Sequence, residues 1–246
     1  ATDSFPITSA AHGVVNLGDL PTTAIERIEV YRGLSPLGLG AAAPGGAINL
    51  VTSSSPELRE LRLARGAFGT WEARAGASGH HGPLSGLLHA GYQGSRGDFR
   101  YPDDNGTPFN PDDDSLSTRV NNRFDAATLL ARLVWRPGPG WHVSAREDLF
   151  RKAQGVPGLG AVPAYASSLE FARALSQIEV ARAGAGAVPG ARVRAGLARE
   201  RTRFRDPGAE LGLGHDRRAR QPERLLPDQD VGLIEDPERH DAGRDA

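Results

Sequence analysis

The sequence predicts an all-β-dominated protein: a small N-terminal unit, then roughly seven antiparallel strands of an incomplete transmembrane β-barrel, then a disordered tail. Three observations carry this. Between Leu61 and Leu197, apolar and polar residues alternate at period 2 in stretch after stretch, the pattern of strands with two unlike faces. The connections sort by length: short turns at 79–83, 137–140 and 184–190, long loops at 97–120 and around 155–158, on opposite ends of the ladder. No apolar run approaches the ~18 residues of a spanning helix, so a bilayer could be crossed only by a barrel. A soluble β-sandwich also alternates, but nothing in it sorts loops by side.

Composition narrows the function classes. Of 246 residues, 29 are basic and 30 acidic, with no basic stripe, so the electrostatic footprint of nucleic-acid binding is missing. Among the basic residues Lys152 alone is a lysine. Together with the abundance of Ala, Gly and Pro, this reads as the mark of a GC-rich gene. The chain has no cysteine, which excludes disulfide frameworks, Cys–zinc sites and thiol catalysis together. No charged segment followed by an apolar core stands at the beginning of the sequence, so no secretory signal is read in it.

Residues 1–24 form a polar lead-in, with a short strand and turn expected around 13–21. His12 has no second ligand at metal spacing. From Ile25 to Tyr31 the strand IERIEVY sets Ile28 and Val30 on one face and Arg27 and Glu29 on the other, a pattern expected of a half-buried strand. A glycine-dense loop follows (Gly33, Gly38, Gly40, Gly45, Gly46), then a second strand, AINLVT, over 47–52. Glycines this dense point to positive φ or a close backbone approach. Within the loop, GLGAAA at 38–43 fits a loose dinucleotide-binding pattern. A pyrophosphate there needs a helix N-terminus, whereas Pro44, Gly45 and Gly46 lead into a strand. That site is therefore rejected. A phosphate-binding P-loop fails for want of Gly-Lys-Ser/Thr.

In order and spacing, IERIEVYRG, then Leu37-Gly38, then GGAINLVT resembles the end of the plug domain of TonB-dependent outer-membrane receptors. The resemblance implies a globular plug seated inside a large β-barrel that gates uptake of a scarce nutrient chelate, a siderophore, cobalamin or similar. It also implies a TonB-type energy-coupling partner, contact with outer-membrane lipid, no nucleic acid and no enzyme activity. The motif residues are Glu26, Arg27, Glu29, Arg32, Gly33, Gly45, Gly46 and Asn49. On this resemblance the charged strand face meets acidic groups on the inner barrel wall, with Arg32 at that contact. The plug of the family is a small α+β unit and is longer than the matching part here. This gives a division into a plug over 1–55, barrel strands over 56–214 and a tail over 215–246.

Ser53, Ser54, Ser55 and Pro56 make the linker, the proline being foreign to any central strand. Leu61 and Leu63 open the first strand. A tight turn at 67–70 leads to Trp71, Ala73, Ala75 and Ala77, and Leu88, Ala90 and Tyr92 follow. Leu129, Leu133 and Trp135 come after the acidic loop. The turn PGPG brings the chain back through Trp141, Val143 and Ala145, so two tryptophans flank one turn as in an interfacial girdle. Ile178 and Val180, then Val193, Ala195 and Leu197, finish the series. A strand needs about 9–11 residues, so 246 residues do not close a barrel of the family's size. After Gly214 the alternation stops and Arg, Asp, Glu and Pro crowd together without an aromatic residue. A disordered tail is expected, with a shift of reading frame near Gly214 as one origin. Two alternatives to a working receptor stay open: a non-functional truncated product, and a soluble or surface β-protein acting as a binding module.

No catalytic constellation is present: there is no Gly-x-Ser-x-Gly, no His-Glu-x-x-His, and the histidines are scattered. The adjacent pair His80 and His81 would point to opposite faces of a strand. The metal candidate is Asp103, Asp104, Asp112, Asp113 and Asp114 with Asn105. These hard oxygen donors in a foldable loop suit Ca²⁺, although their spacing is no EF-hand. Cobalamin receptors of the resembling family order an early outer loop around calcium, and this is the second outer loop.

Overall fold

A computed structural model of the chain describes residues 25–33, 46–52, 59–159, 162–184, 190–211 and 234–235. Two strands come first, β1 (Ile25–Arg32) and β2 (Gly46–Thr52), paired antiparallel as a hairpin with a bulge near Arg27. Then follow β3 (Arg59–Arg65), β4 (Trp71–His81) and β5 (Leu84–Ser95). The outer loop after β5 holds its own small hairpin of β6 (Arg100–Asp103) and β7 (Ser115–Thr118), with a 3₁₀ turn at Pro111–Asp113. Next are β8 (Phe124–Trp135) and β9 (Trp141–Gly155). A second excursion carries the two-residue strands β10 (Gly158–Leu159) and β11 (Val162–Pro163). The long strands β12 (Ser168–Arg182) and β13 (Ala191–Arg205) complete the series, and β14 (Ile234–Glu235) pairs with β13.

The main sheet has the order β14-β13-β12-β9-β8-β5-β4-β3, all antiparallel, and β3 is not joined to β13. Seven long strands thus form an open meander, as the alternation predicted. The two long loops are not featureless, however: each folds back on itself as a hairpin pairing only with itself. No helix among the described residues is long and apolar enough to cross a membrane. The α+β character expected of the N-terminal unit lies outside the described residues. So do the short turn at 185–189 and the tail at 215–246 apart from Ile234–Glu235.

The two faces of the sheet are inverted relative to a soluble protein. Cross-strand register aligns Trp135, Val143, Val180 and Val193 in one row, Leu133, Ala145, Ile178 and Ala195 in the next, and Leu129, Leu149 and Ala174 farther up. This face is exposed, with Leu61 at 76%, Leu133 at 48% and Ile178 at 57% of full accessibility. Glu147 and Ser176 interrupt it. The opposite face buries His89, Asp148 and Arg173 beside Ala126, Leu130, Val134, Phe150 and Leu175. Apolar outside and polar inside is what a wall between lipid and an aqueous lumen requires. Trp135 and Trp141 lie outward at the short-turn end, and Trp71 stacks on Tyr92 at 4.4 Å toward the long-loop end. Both ends of the apolar band carry aromatic rings, as at lipid interfaces.

Candidate functional site

The hairpin β1–β2 is built around Glu29. Its carboxylate accepts from Asn49 Nδ2 directly across the hairpin at 2.9 Å, from Arg27 Nε at 2.9 Å and from the Tyr31 hydroxyl at 3.1 Å. The hydrogen bond from Asn49, then those from Arg27 and Tyr31, hold Glu29 below its ordinary value of 4.5. Gly33 and Gly46 bracket the loop with φ of +85° and +104°, and a Cβ at Gly46 would overlap the Tyr31 carbonyl. Glycine is thus dictated at both positions. Gly45, the remaining motif glycine, lies outside the described residues.

One expectation for this hairpin is corrected. The apolar face is not the half-buried one: Ile28 and Val30 are each 61% exposed and Ile48 51%, while Glu29, Tyr31 and Asn49 are more enclosed. On the charged face, Arg27 and Asn49 engage Glu29 from within the hairpin. Arg32 is exposed opposite Gly46, and no ion pair joins it to a wall acid among the described residues. Glu26 is likewise exposed. The hairpin meets the sheet through Leu50 instead, packed against Leu175 of β12 with Ile25 and Ala198 alongside. Leu175 lies on the polar, inward face, so the hairpin sits on the lumen side of the wall.

That wall carries three groups of charge. Glu72 reaches Arg74 at 2.6 Å and Arg62 at 3.5 Å. Glu179 takes Arg194 at 2.6 Å, with Arg192 at 3.8 Å. Asp148, almost fully buried, faces Arg146 at 3.4 Å and Arg173 at 3.9 Å, and the Arg173 guanidinium also lies 5.8 Å from the Phe150 ring centre. His89, 1% exposed, sits between Gly76 and Leu130, and neither ring nitrogen has a hydrogen-bond partner. Sequence reasoning passed over His89, Asp148 and Arg173. The available signal was the set His142, Arg146, Asp148 and Lys152, which share one face of β9.

The acidic loop is brought together only in part. Asp103 accepts from the Asn105 amide at 3.2 Å and Asp104 from the Gly106 amide at 3.1 Å, so each caps its own turn. Asp113 takes the Thr107 hydroxyl at 2.7 Å and Asn105 Nδ2 at 3.5 Å, and Asn110 caps the 3₁₀ turn through the Asp112 amide. Asp112 and Asp114 do not join them: among the described residues no set of three or more His, Asp or Glu is placed to hold a metal. Mutual repulsion separates carboxylates that have backbone amides to satisfy them locally.

The outer loops are stitched into one rim. Asn121 Nδ2 donates to the Val156 and Ser167 carbonyls at 3.2 and 2.7 Å, and the Gly155 amide donates to the Arg123 carbonyl at 2.9 Å. The fully buried Ser167 donates to Asp206 at 2.8 Å, and Glu210 accepts from the Tyr165 and Ala166 amides at 2.9 Å each.

The TonB-dependent Receptor Plug Domain family matches residues 1–47. No curated protein gives a match. Among solved structures, P. aeruginosa FpvA bound to heterologous pyoverdines has a TM-score of 0.39 and 16% identity, over 82% of this chain and 35% of that one. The FpvAI–pyocin S2 complex gives 0.41 and 15%, over 84% and 36%. The ferripyoverdine receptor of the Pseudomonas aeruginosa outer membrane gives 0.37 and 17%, over 82% and 36%. The chain spans about a third of the length of these structures. A stretch similar to the plug of TonB-dependent receptors at its start is thus followed by an antiparallel sheet with an apolar outer and a polar inner face.

Proposed function

We propose that this chain supplies the end of the plug and the first part of the barrel wall of a transporter, not an enzyme, that takes up a scarce nutrient chelate. A siderophore is the class favoured, cobalamin the alternative, and a TonB-type protein provides the energy. The observation that carries this is the seat of the plug hairpin. Leu50 rests on Leu175 of a wall that is polar and ion-paired inward and apolar outward. This contact is small, so the hairpin can leave the wall without dismantling it. On this reading the plug runs to about residue 55, the wall over 56–214 and the tail over 215–246.

Crosslinking tests it, because the chain has no native cysteine. In the complete receptor, Leu50→Cys with Leu175→Cys is expected to block uptake of iron chelate when oxidised, to leave surface binding intact, and to recover on reduction. Uptake by the oxidised, crosslinked receptor would sink the gating role. Parallel uptake of cobalamin separates the two chelate classes. A second reading, a truncated product without activity, has one observation in its favour: among the described residues β3 has no outer neighbour in the sheet, and β13 is paired on its outer side only at two positions by β14.

Two smaller expectations arise from the site. Glu29 is held below its ordinary value, so its bonds stabilise the hairpin above the unfolded glutamate range and are lost as pH falls through the lowered folded value. The carboxyl ¹³C shift of Glu29 is expected to titrate with a midpoint below 4.5, and Asn49→Ala to move it up. An unchanged midpoint would show that Asn49 is not the main cause. For the acidic loop, Thr107 and Asn105 already occupy Asp113. Calcium at millimolar concentration is therefore expected to leave protease cleavage within 103–115 unaltered. Protection appearing with Ca²⁺ and not with Mg²⁺, and vanishing in Asp112→Asn/Asp114→Asn, would show that the aspartates gather on a cation.

A further inference from the structure

The outward face of the wall is interrupted at the centre of β9 and β12. On that face of β9, Val143, Ala145, Glu147, Leu149 and Arg151 succeed one another, and Val180, Ile178, Ser176, Ala174 and Ala172 lie opposite them on β12. A carboxyl and a hydroxyl therefore stand side by side in the middle of the band. On β8 the same band runs from Trp135, in the row of Val143, to Ala127, in the row of Arg151 and opposite Tyr92. Those aromatic rows mark the two lipid interfaces, and Glu147 and Ser176 are midway between them. Arg151 and Arg199 lie in or next to the upper row, where a long side chain reaches the interface, whereas a glutamate at the centre does not. The side chains of Glu147 and Ser176 are half-buried, and neither makes a hydrogen bond or ion pair among the described residues.

From this we propose that Glu147 and Ser176 are the contact point at which the wall docks on a second copy of the same receptor. The proposal rests on the reading of the sheet as a membrane wall. An acyl chain offers neither group a partner, and a polar group without one is costly at that depth. A second copy supplies both partners at the same depth, because the two copies have the same orientation in the membrane. A two-fold axis along the membrane normal sets Glu147 of each copy against Ser176 of the other, so that one patch meets itself. The hydroxyl of one copy then donates to the carboxyl of the other, and the bond is made twice. The surroundings permit the close approach this needs. Ala131 lies opposite Glu147 on β8, and Ala145 and Ala174 flank the pair along β9 and β12, leaving it on a floor of methyl groups. Small residues around a polar group are also the composition by which spanning helices associate in lipid.

The test counts receptors per complex by stepwise photobleaching in outer-membrane vesicles that carry the complete, fluorescently labelled receptor at a series of densities. Wild type is expected to form dimers as density rises. Glu147→Leu and Ser176→Ala should each weaken dimerisation about tenfold, since each removes both copies of the reciprocal bond. Exchanging the two, Glu147→Ser with Ser176→Glu in one chain, should restore it, because the pair still faces its own image. Wild type that is monomeric at every density, undiminished dimers in Glu147→Leu, or no recovery on exchange overturns the proposal. Native mass spectrometry of the extracted samples reads other occupants: a single receptor holding a lipid or an unlike protein that Glu147→Leu releases overturns it too. Heat-modifiable migration separates the two levels of failure. Intact migration of a monomeric wild type removes the second copy alone, whereas loss of that migration removes the membrane-wall reading with it.

Discussion

The 246-residue chain, refolded by itself into detergent or lipid, is expected to give no protease-resistant, heat-modifiable monomer. The main sheet ends in two long edges, with β14 covering only two positions of β13. In hydrocarbon each unpaired amide or carbonyl costs several kcal/mol. An open edge of strand length thus outweighs the marginal 5–15 kcal/mol by which folded proteins exceed their unfolded states. The exposed face of Leu61, Leu133 and Ile178 would drive aggregation or further association in water. A stable, discrete monomer resisting protease in lipid micelles would show that the edges are satisfied in some other way.

In the complete receptor, Asp148→Ala is expected to be the most damaging single change in the wall. Asp148 and Arg173 are 3% and 5% exposed, and removal of the acid leaves Arg173 buried with no carboxylate. Breaking one side of a buried ion pair costs about 3–5 kcal/mol, far more than the pair's net contribution. Arg62 is the contrast: its side chain is 60% exposed at 3.5 Å from Glu72, so Arg62→Ala should cost roughly 0.2–1 kcal/mol. Guanidinium unfolding in lipid compares the two variants. Similar midpoints would mean that water or a partner group reaches Arg173. A double replacement of Asp148 and Arg173 by Leu and Met should recover much of the loss, since it removes the buried charge altogether.

The meander was legible because its two signals are local. Alternation in segments such as LARLVW and the PGPG turn needs no knowledge of the rest of the chain. The hairpin glycines were legible for the same reason, since Gly33 and Gly46 do adopt positive φ. What was missed depends on distant partners. Asp148 looks like any polar residue of an alternating strand until register sets it between Leu130 and Leu175. Ile28 and Val30 looked like a buried face because periodicity distinguishes two sides without saying which is covered. The aspartates at 103–114 were close in sequence, but closeness in sequence does not aim side chains at one point. Asx turns spent Asp103 and Asp104 on the nearest amides.

Every long strand of the main sheet after the first pairs with the long strand just before it in sequence. No wall contact therefore has to wait for a remote part of the chain, and loop-closure entropy stays low at every step. Order of synthesis equals order of assembly: the last strand delivered is always the edge on which the next one forms. Growth of this kind fails abruptly rather than gradually. A deletion of one residue at the start of β9, before Val143, would turn Arg146, Asp148 and Lys152 toward lipid and Val143, Ala145 and Leu149 toward the lumen. Each strand added later would then be templated on an inverted edge.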